Sequence, residues 1–230
     1  MLKKKIVVIS GAGISAESGL STFRDAGGLW EKHDINEVAS IEGWKKNPEK
    51  VLEFYNLRRK QAAEAKPNKA HLALAKLEKL YEEVVVITQN VDDLHERGGS
   101  GNVIHLHGEL CKARSERDEL LITDIGDSSI KLGDKAEDGC QLRPHIVWFG
   151  ELVPMMEKAA TEVENADILI IVGTSLMVYP AAGLVNLSPL NIPKYIIDPA
   201  DLGFLKNEDW IHYKENAGTG VVKLVQKLTR

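Results

Sequence analysis

With 230 residues, 43% hydrophobic and 27% charged, the chain has the balance of a soluble globular protein of one domain, or one domain with a small inserted lobe. A net charge of −5 without a basic stripe disfavours nucleic acid as a main partner, and the longest apolar runs are strand-length, too short to span a membrane. Two cysteines exclude a disulfide framework and suit a reducing, cytoplasmic location.

In chain order, "KKKIVVIS" (3–10) reads as a first strand rather than a signal peptide, because its short apolar run leads directly into a glycine loop. That loop carries Gly11-x-Gly13-x-x-Ala16 between a strand and a helical segment. The context points to a dinucleotide pyrophosphate, with glycines letting backbone N–H groups approach it closely. The acidic residue expected about 20 positions on, after a second strand, is missing, so an ordinary dehydrogenase is not indicated. Residues 34–66 look mostly helical and contain "EFYNLRRKQ", where Tyr55 and Arg58 stand three apart on one helical face. A phenol beside a guanidinium suits a carboxylate, and a plain surface pair is the alternative at this point. Arg59, turned about 100° away on an ideal helix, is expected to meet solvent.

The segment 68–81 places Ala70, Ala73, Leu74, Leu77 and Leu80 on one helical stripe. Strands are predicted at 82–88, 102–106, 145–149, 166–173 and 193–198, near-continuously apolar as in strands buried on both faces. Residues 217–229 form a last helix through Val221, Leu224, Val225 and Leu228. The fold class is therefore α/β: a Rossmann-like parallel sheet domain (1–33, 67–110 and 143–230) with a small inserted lobe in two pieces (34–66 and 111–142). In the lobe, 119–125 and 128–132 are expected to pair as a hairpin.

Five blocks, "GAGISAESGLSTFRDAGGLW" (11–30), "TQNVDDLHERGG" (88–99), "HLHGEL" (105–110), "LRPHIVWFGE" (142–151) and "VGTSLMVYPAAGL" (172–184), resemble the sirtuins in order and spacing. Sirtuins are NAD-dependent protein-lysine deacylases. The resemblance implies that Gly11, Ala12, Gly13, Ala16, Thr22, Phe23 and Arg24 line an NAD pocket. It gives Gln89, Asn90 and Asp92 to the nicotinamide ribose and carboxamide, and Gly173, Thr174 and Ser175 to the adenosine side. Asp198 and Ala217 belong to the adenine end, where Asp198 and Ala200 stand in place of a common family asparagine. His107 is the implied catalytic base, whereas His95 and His105 fit structural roles. Val147, Phe149 and Gly150 would line the acyl-lysine channel, with "VWFGE" pairing to the substrate backbone as an added strand.

Sirtuins that prefer acidic acyl groups carry a Tyr-x-x-Arg pair on the lobe helix and an alanine in the first loop, matched here by Tyr55, Arg58 and Ala16. The implied activity is removal of succinyl and malonyl groups, and of acetyl, from lysine in proteins or peptides, yielding nicotinamide and O-acyl-ADP-ribose. An NAD glycohydrolase or ADP-ribosyltransferase, and a non-catalytic NAD-sensing module, are the alternatives. The sequence departs from the family at its structural zinc site, which takes four cysteines. Here Ser115 and Asp118 fall where the first pair belongs and Asp138 near another ligand place, so no zinc is expected. A mixed site using Cys111 and Cys140 with His or Asp is the alternative.

Overall fold

The computed structural model describes residues 2–22, 33–202 and 210–229. Six strands form a parallel sheet: β1 (Leu2–Ser10), β2 (Tyr81–Thr88), β3 (Val103–His105), β7 (Ile168–Val172), β8 (Lys194–Ile197) and β9 (Trp210–Tyr213). Their order is β3-β2-β1-β7-β8-β9. The chain thus winds outward from β1 in one direction and then in the other. The crevice beyond the carboxyl ends of β1 and β7 is the topological switch point, where open α/β sheets place their ligands. Register aligns these ends, with Ser10 opposite both Thr88 and Val172.

Each central strand is apolar on both faces because both are covered. Ile6, Val8, Ile170 and Val172 face the helices Lys69–Leu77 and Ala217–Leu228. Val7, Ile9, Ile87 and Leu169 face the helix Met156–Glu164 and the 3₁₀ segment Ala181–Leu187. The helix predicted over 68–81 ends at Leu77, and Leu80 lies in the turn before β2, largely exposed. Strand β9 was not expected: "WIHY" is only half-buried at the sheet edge and lacks a continuous apolar run.

The second body is built from the helices Ile35–Val38, Ile41–Lys46 and Pro48–Glu64 and a three-stranded antiparallel sheet. The sheet comprises β4 (Gly108–Ser115), β5 (Ile122–Asp124) and β6 (Leu142–Ile146), in the order β5-β4-β6. Two expectations are corrected here. The stretch read as a parallel strand at 145–149 instead splits: its first two residues end β6, which pairs antiparallel to β4, and 147–149 lie beyond that strand. The hairpin of 119–125 with 128–132 does not form; β5 pairs with β4. Residues 128–132 are anchored through Ile130, which is buried and whose backbone N–H and C=O both bond the Asn56 side chain. The long helix starts cleanly, with Asn47 accepting from Lys50 N–H and Pro48 at its first position.

The residues around the family's zinc position do not fit a tetrahedral zinc. Ser115 Oγ donates to Asp138 Oδ2 at 2.7 Å and accepts from the backbone N–H groups of Arg117 and Asp118. Asp138 Oδ1 in turn accepts from Cys140 N–H. Among the described residues no three His, Cys, Asp or Glu side chains gather as a metal-ligand group. The lobe's apolar core, including Trp44, Val51, Phe54, Leu110, Ala113 and Trp148, supplies its packing.

Candidate active site

A cavity of about 610 Å³ opens at the switch point and runs into the cleft between the two bodies. That volume suits a small-molecule ligand. Three chain reversals form its inner wall: Gly11–Gly13 after β1, Gln89–Val91 after β2 and Gly173–Ser175 after β7. Asp198, Asn216 and Ala217 line it beside β8 and the last helix, and His107, Tyr55, Arg58, Val147, Phe149 and Gly150 line it as well. Ala16 and Thr22 also border it. Phe23 and Arg24 lie outside the described residues. Asp92 is not on the wall. It is buried one layer behind, accepting from Ser15 Oγ at 3.1 Å and from Leu94 N–H.

The two glycines of the first loop line the cavity and also hold the fold at its base. Gly11 N–H donates to Val172 O and Gly13 N–H to Gly173 O, so these two donors tie the first loop to the end of β7. Gly13 and Gly173 lie back to back. A Cβ on Gly13 would come 2.7 Å from Gly173 Cα, and one on Gly173 would come 2.6 Å from the Gly13 carbonyl carbon. The motif therefore lets two reversals touch at the base of the crevice and leaves no side chain over its floor. Sequence reading also missed Glu17, whose carboxylate accepts from Gly218 N–H at 2.6 Å and meets the positive end of the last helix.

A buried polar network fixes the β2 end. Ser10 Oγ donates to Thr88 Oγ1 and lies 2.9 Å from His95 Nε2. Thr88 Oγ1 accepts from Asn90 N–H, and Asn90 Nδ2 donates to Gly11 O and Ser15 Oγ. Gln89 Nε2 reaches across to Thr174 Oγ1 at 3.1 Å. His105 is bound on both nitrogens, to Asn90 O and Glu96, and Glu96 holds its pKa above the usual value despite the opposing effect of burial.

His107 sits in the link between β3 and β4 with Nδ1 3.0 Å from Gln89 O. A carbonyl can only accept, so Nδ1 carries the proton and Nε2 is left with its lone pair. Burial lowers the His107 pKa, against a weaker opposing effect of that carbonyl. Burial thus disfavours the charged ring and leaves Nε2 as the nitrogen equipped to act as a base.

At the lobe end, Tyr55 and Arg58 line the same cavity from one face of the long helix. Tyr55 is buried; burial pushes its phenol up to about 12, so it keeps its proton. Arg58 lies 5.8 Å from the Phe54 ring centre, and burial lowers its pKa while Tyr55 and Asp92 act in the opposite sense. Arg59 does not meet solvent as expected. It is buried beneath β4, donating from Nε to Leu110 O and from Nη1 to Asn56 Oδ1. The stretch 147–149 has its N–H groups engaged already, on His107 O, Glu151 Oε2 and Ala39 O. A substrate strand added here would have to meet other backbone groups.

The Sir2 family model matches residues 11–180. The chain is 55% identical over 225 residues to a protein of Helicobacter pylori strain J99 named NAD-dependent protein deacylase, covering 98% of this chain and 95% of that one. A protein of the same name from Bacteroides thetaiotaomicron is 52% identical, with 98% of each chain covered. Among solved structures, a Sir2 homolog–NAD complex superposes with a TM-score of 0.87 at 40% identity, over 98% of this chain and 89% of that one. A Sir2 protein bound to an acetylated peptide gives 0.77 at 31% identity, over 97% and 91%.

Proposed function

The chain belongs to the Sir2 family and is an NAD-dependent protein deacylase, and from that premise we propose that it removes acidic acyl groups, succinyl and malonyl, from lysine, with acetyl-lysine as a further substrate. The observation that carries this reading is the position of Tyr55 and Arg58 on the wall of the cavity that also holds His107.

The cavity fits NAD: its floor is cleared by the mutually packed glycines, and polar side chains stand on its wall. NAD supplies an electrophilic ribose carbon when its bond to nicotinamide breaks. Gln89 offers its amide and Asn90 its amide oxygen to the ribose and carboxamide, and Asp198 an acceptor elsewhere on the wall. His107 takes a proton at Nε2 from a sugar hydroxyl, in the tautomer that Gln89 O imposes. Arg58 pairs with the acyl carboxylate and Tyr55 donates its hydroxyl to it.

A charge-assisted bond of this kind contributes about 1.5–3 kcal/mol, or roughly ten- to a hundredfold in discrimination. Arg58→Met is therefore expected to lower kcat/KM for a succinyl-lysine peptide by that factor and for the acetyl form far less. Equal losses would remove the assignment. Nicotinamide release that requires the peptide supports deacylation; release without it points to glycohydrolysis.

A further inference from the structure

We infer that Trp148 is a positioning residue for acidic-acyl selectivity: its indole N–H occupies the acceptor side of the Tyr55 oxygen and so turns the Tyr55 hydroxyl proton into the cavity. The inference rests on the acidic-acyl reading and adds to it a residue that borders the same cavity and acts on the acyl carboxylate through Tyr55.

The argument is one of hydrogen-bond direction. Trp148 Nε1 lies 3.1 Å from Tyr55 Oη. An indole N–H can only donate, so the phenol oxygen must accept. The phenol's own proton is then free to leave along its other direction. Among the described residues no acceptor engages it, and the neighbouring Arg58 offers donors only. Tyr55 borders the cavity, so a carboxylate arriving there meets a phenol already committed as donor. Without the indole, the same hydroxyl could rotate inward, and part of the binding energy would be lost in turning it back.

The indole is held firmly. The Arg143 guanidinium carbon lies 3.4 Å from its ring centre, and Trp44 packs 5.7 Å away. Arg143 is in turn clamped by Glu151, Nη1 to Oε1 at 2.8 Å and Nη2 to Oε2 at 3.0 Å. The same carboxylate accepts from Trp148 N–H at 2.7 Å. One residue earlier, Val147 N–H donates to His107 O, so the phenol's orientation and the base share one frame.

The test compares Trp148→Phe, Tyr55→Phe and the double variant on succinyl and acetyl forms of one peptide. Trp148→Phe keeps an aromatic ring beneath Arg143 and removes the donor together with part of the buried ring volume, a loss of packing that the Tyr55→Phe background and the acetyl peptide share. It is expected to lower kcat/KM for the succinyl form about tenfold relative to the acetyl form, mainly through KM. In the Tyr55→Phe background the same change should add nothing to that ratio, because there is no hydroxyl left to orient. Equal losses on both peptides, or a further fall of the ratio in the double variant, overturn the inference. Should Trp148→Phe fail to fold, benzothienylalanine at 148 retains the ring shape without the N–H and reads the same ratio. Arg58→Met, run alongside, separates the two levels. If it spares the succinyl preference, the acidic-acyl reading fails and this inference with it. If it removes the preference while the Trp148 variants do not, only this inference fails.

Discussion

Gly173→Ala probes the base of the crevice most sharply. Gly173 has φ +60°, and an added Cβ would stand 2.4 Å from Ile14 N and 2.8 Å from Gly13 Cα. The left-handed backbone alone costs an L-residue about 1–2 kcal/mol. The overlap is with backbone on the facing loop, which cannot swing aside, and forcing the two reversals apart adds about 1–3 kcal/mol. The sum, about 2–5 kcal/mol, corresponds to a fall in Tm on the order of 10 °C for a chain of this size. Gly126→Ala is the matched reference, with φ +55° and nothing within 4 Å of its Cβ, so it carries the conformational cost without the clash. The assay is thermal unfolding of both variants, with KM for NAD and for the peptide. Gly173→Ala should lose clearly more stability than Gly126→Ala and raise KM for NAD more than KM for the peptide. Equal losses of stability in the two variants would refute the packing argument.

His107 should act as a base to lower pH than an ordinary histidine, because burial lowers its pKa and the neutral ring is the active form. The acid limb of kcat/KM against pH is expected to have its midpoint below 6.5; a midpoint above it contradicts the geometry. Glu151→Gln leaves Arg143 and Arg114 facing each other without their shared carboxylate, at a cost of about 3 kcal/mol, readable as a lowered Tm. Arg143 holds the Glu151 carboxyl below its usual pKa despite burial. This stabilisation is therefore present above the usual pKa of 4.5 and lost as pH falls through the folded value, so wild type and variant should converge in acid. For the small lobe, a strong chelator should leave Tm unchanged, whereas Ser115→Ala, which strands two N–H groups, should lower it by a few degrees. One equivalent of bound metal per chain would contradict the first expectation.

The strands of the central sheet were legible because burial on both faces writes itself as unbroken apolar runs, as in "ILIIV" of β7. Strand β9 was not, since an edge strand needs only partial apolar cover. The end of β6 was misplaced because "HIVWF" carries the same apolar signal in either sheet, and periodicity names no partner. Arg59 shows the same limit at one residue. Helix geometry turned it correctly away from Tyr55 but could not reveal that β4 covers that face. The glycines of the first loop were legible as glycines, whereas their engagement with Gly173 depends on a reversal 160 positions later. Trp148 stood inside a recognised block without a role, because its partner Tyr55 is 93 positions away in the sequence.

The central claim is tested most directly by kcat/KM for acetyl, malonyl and succinyl forms of a single lysine peptide with saturating NAD. The account predicts that the succinyl and malonyl forms exceed the acetyl form, by roughly tenfold or more. An acetyl form turned over as efficiently as, or better than, both acidic forms would contradict it.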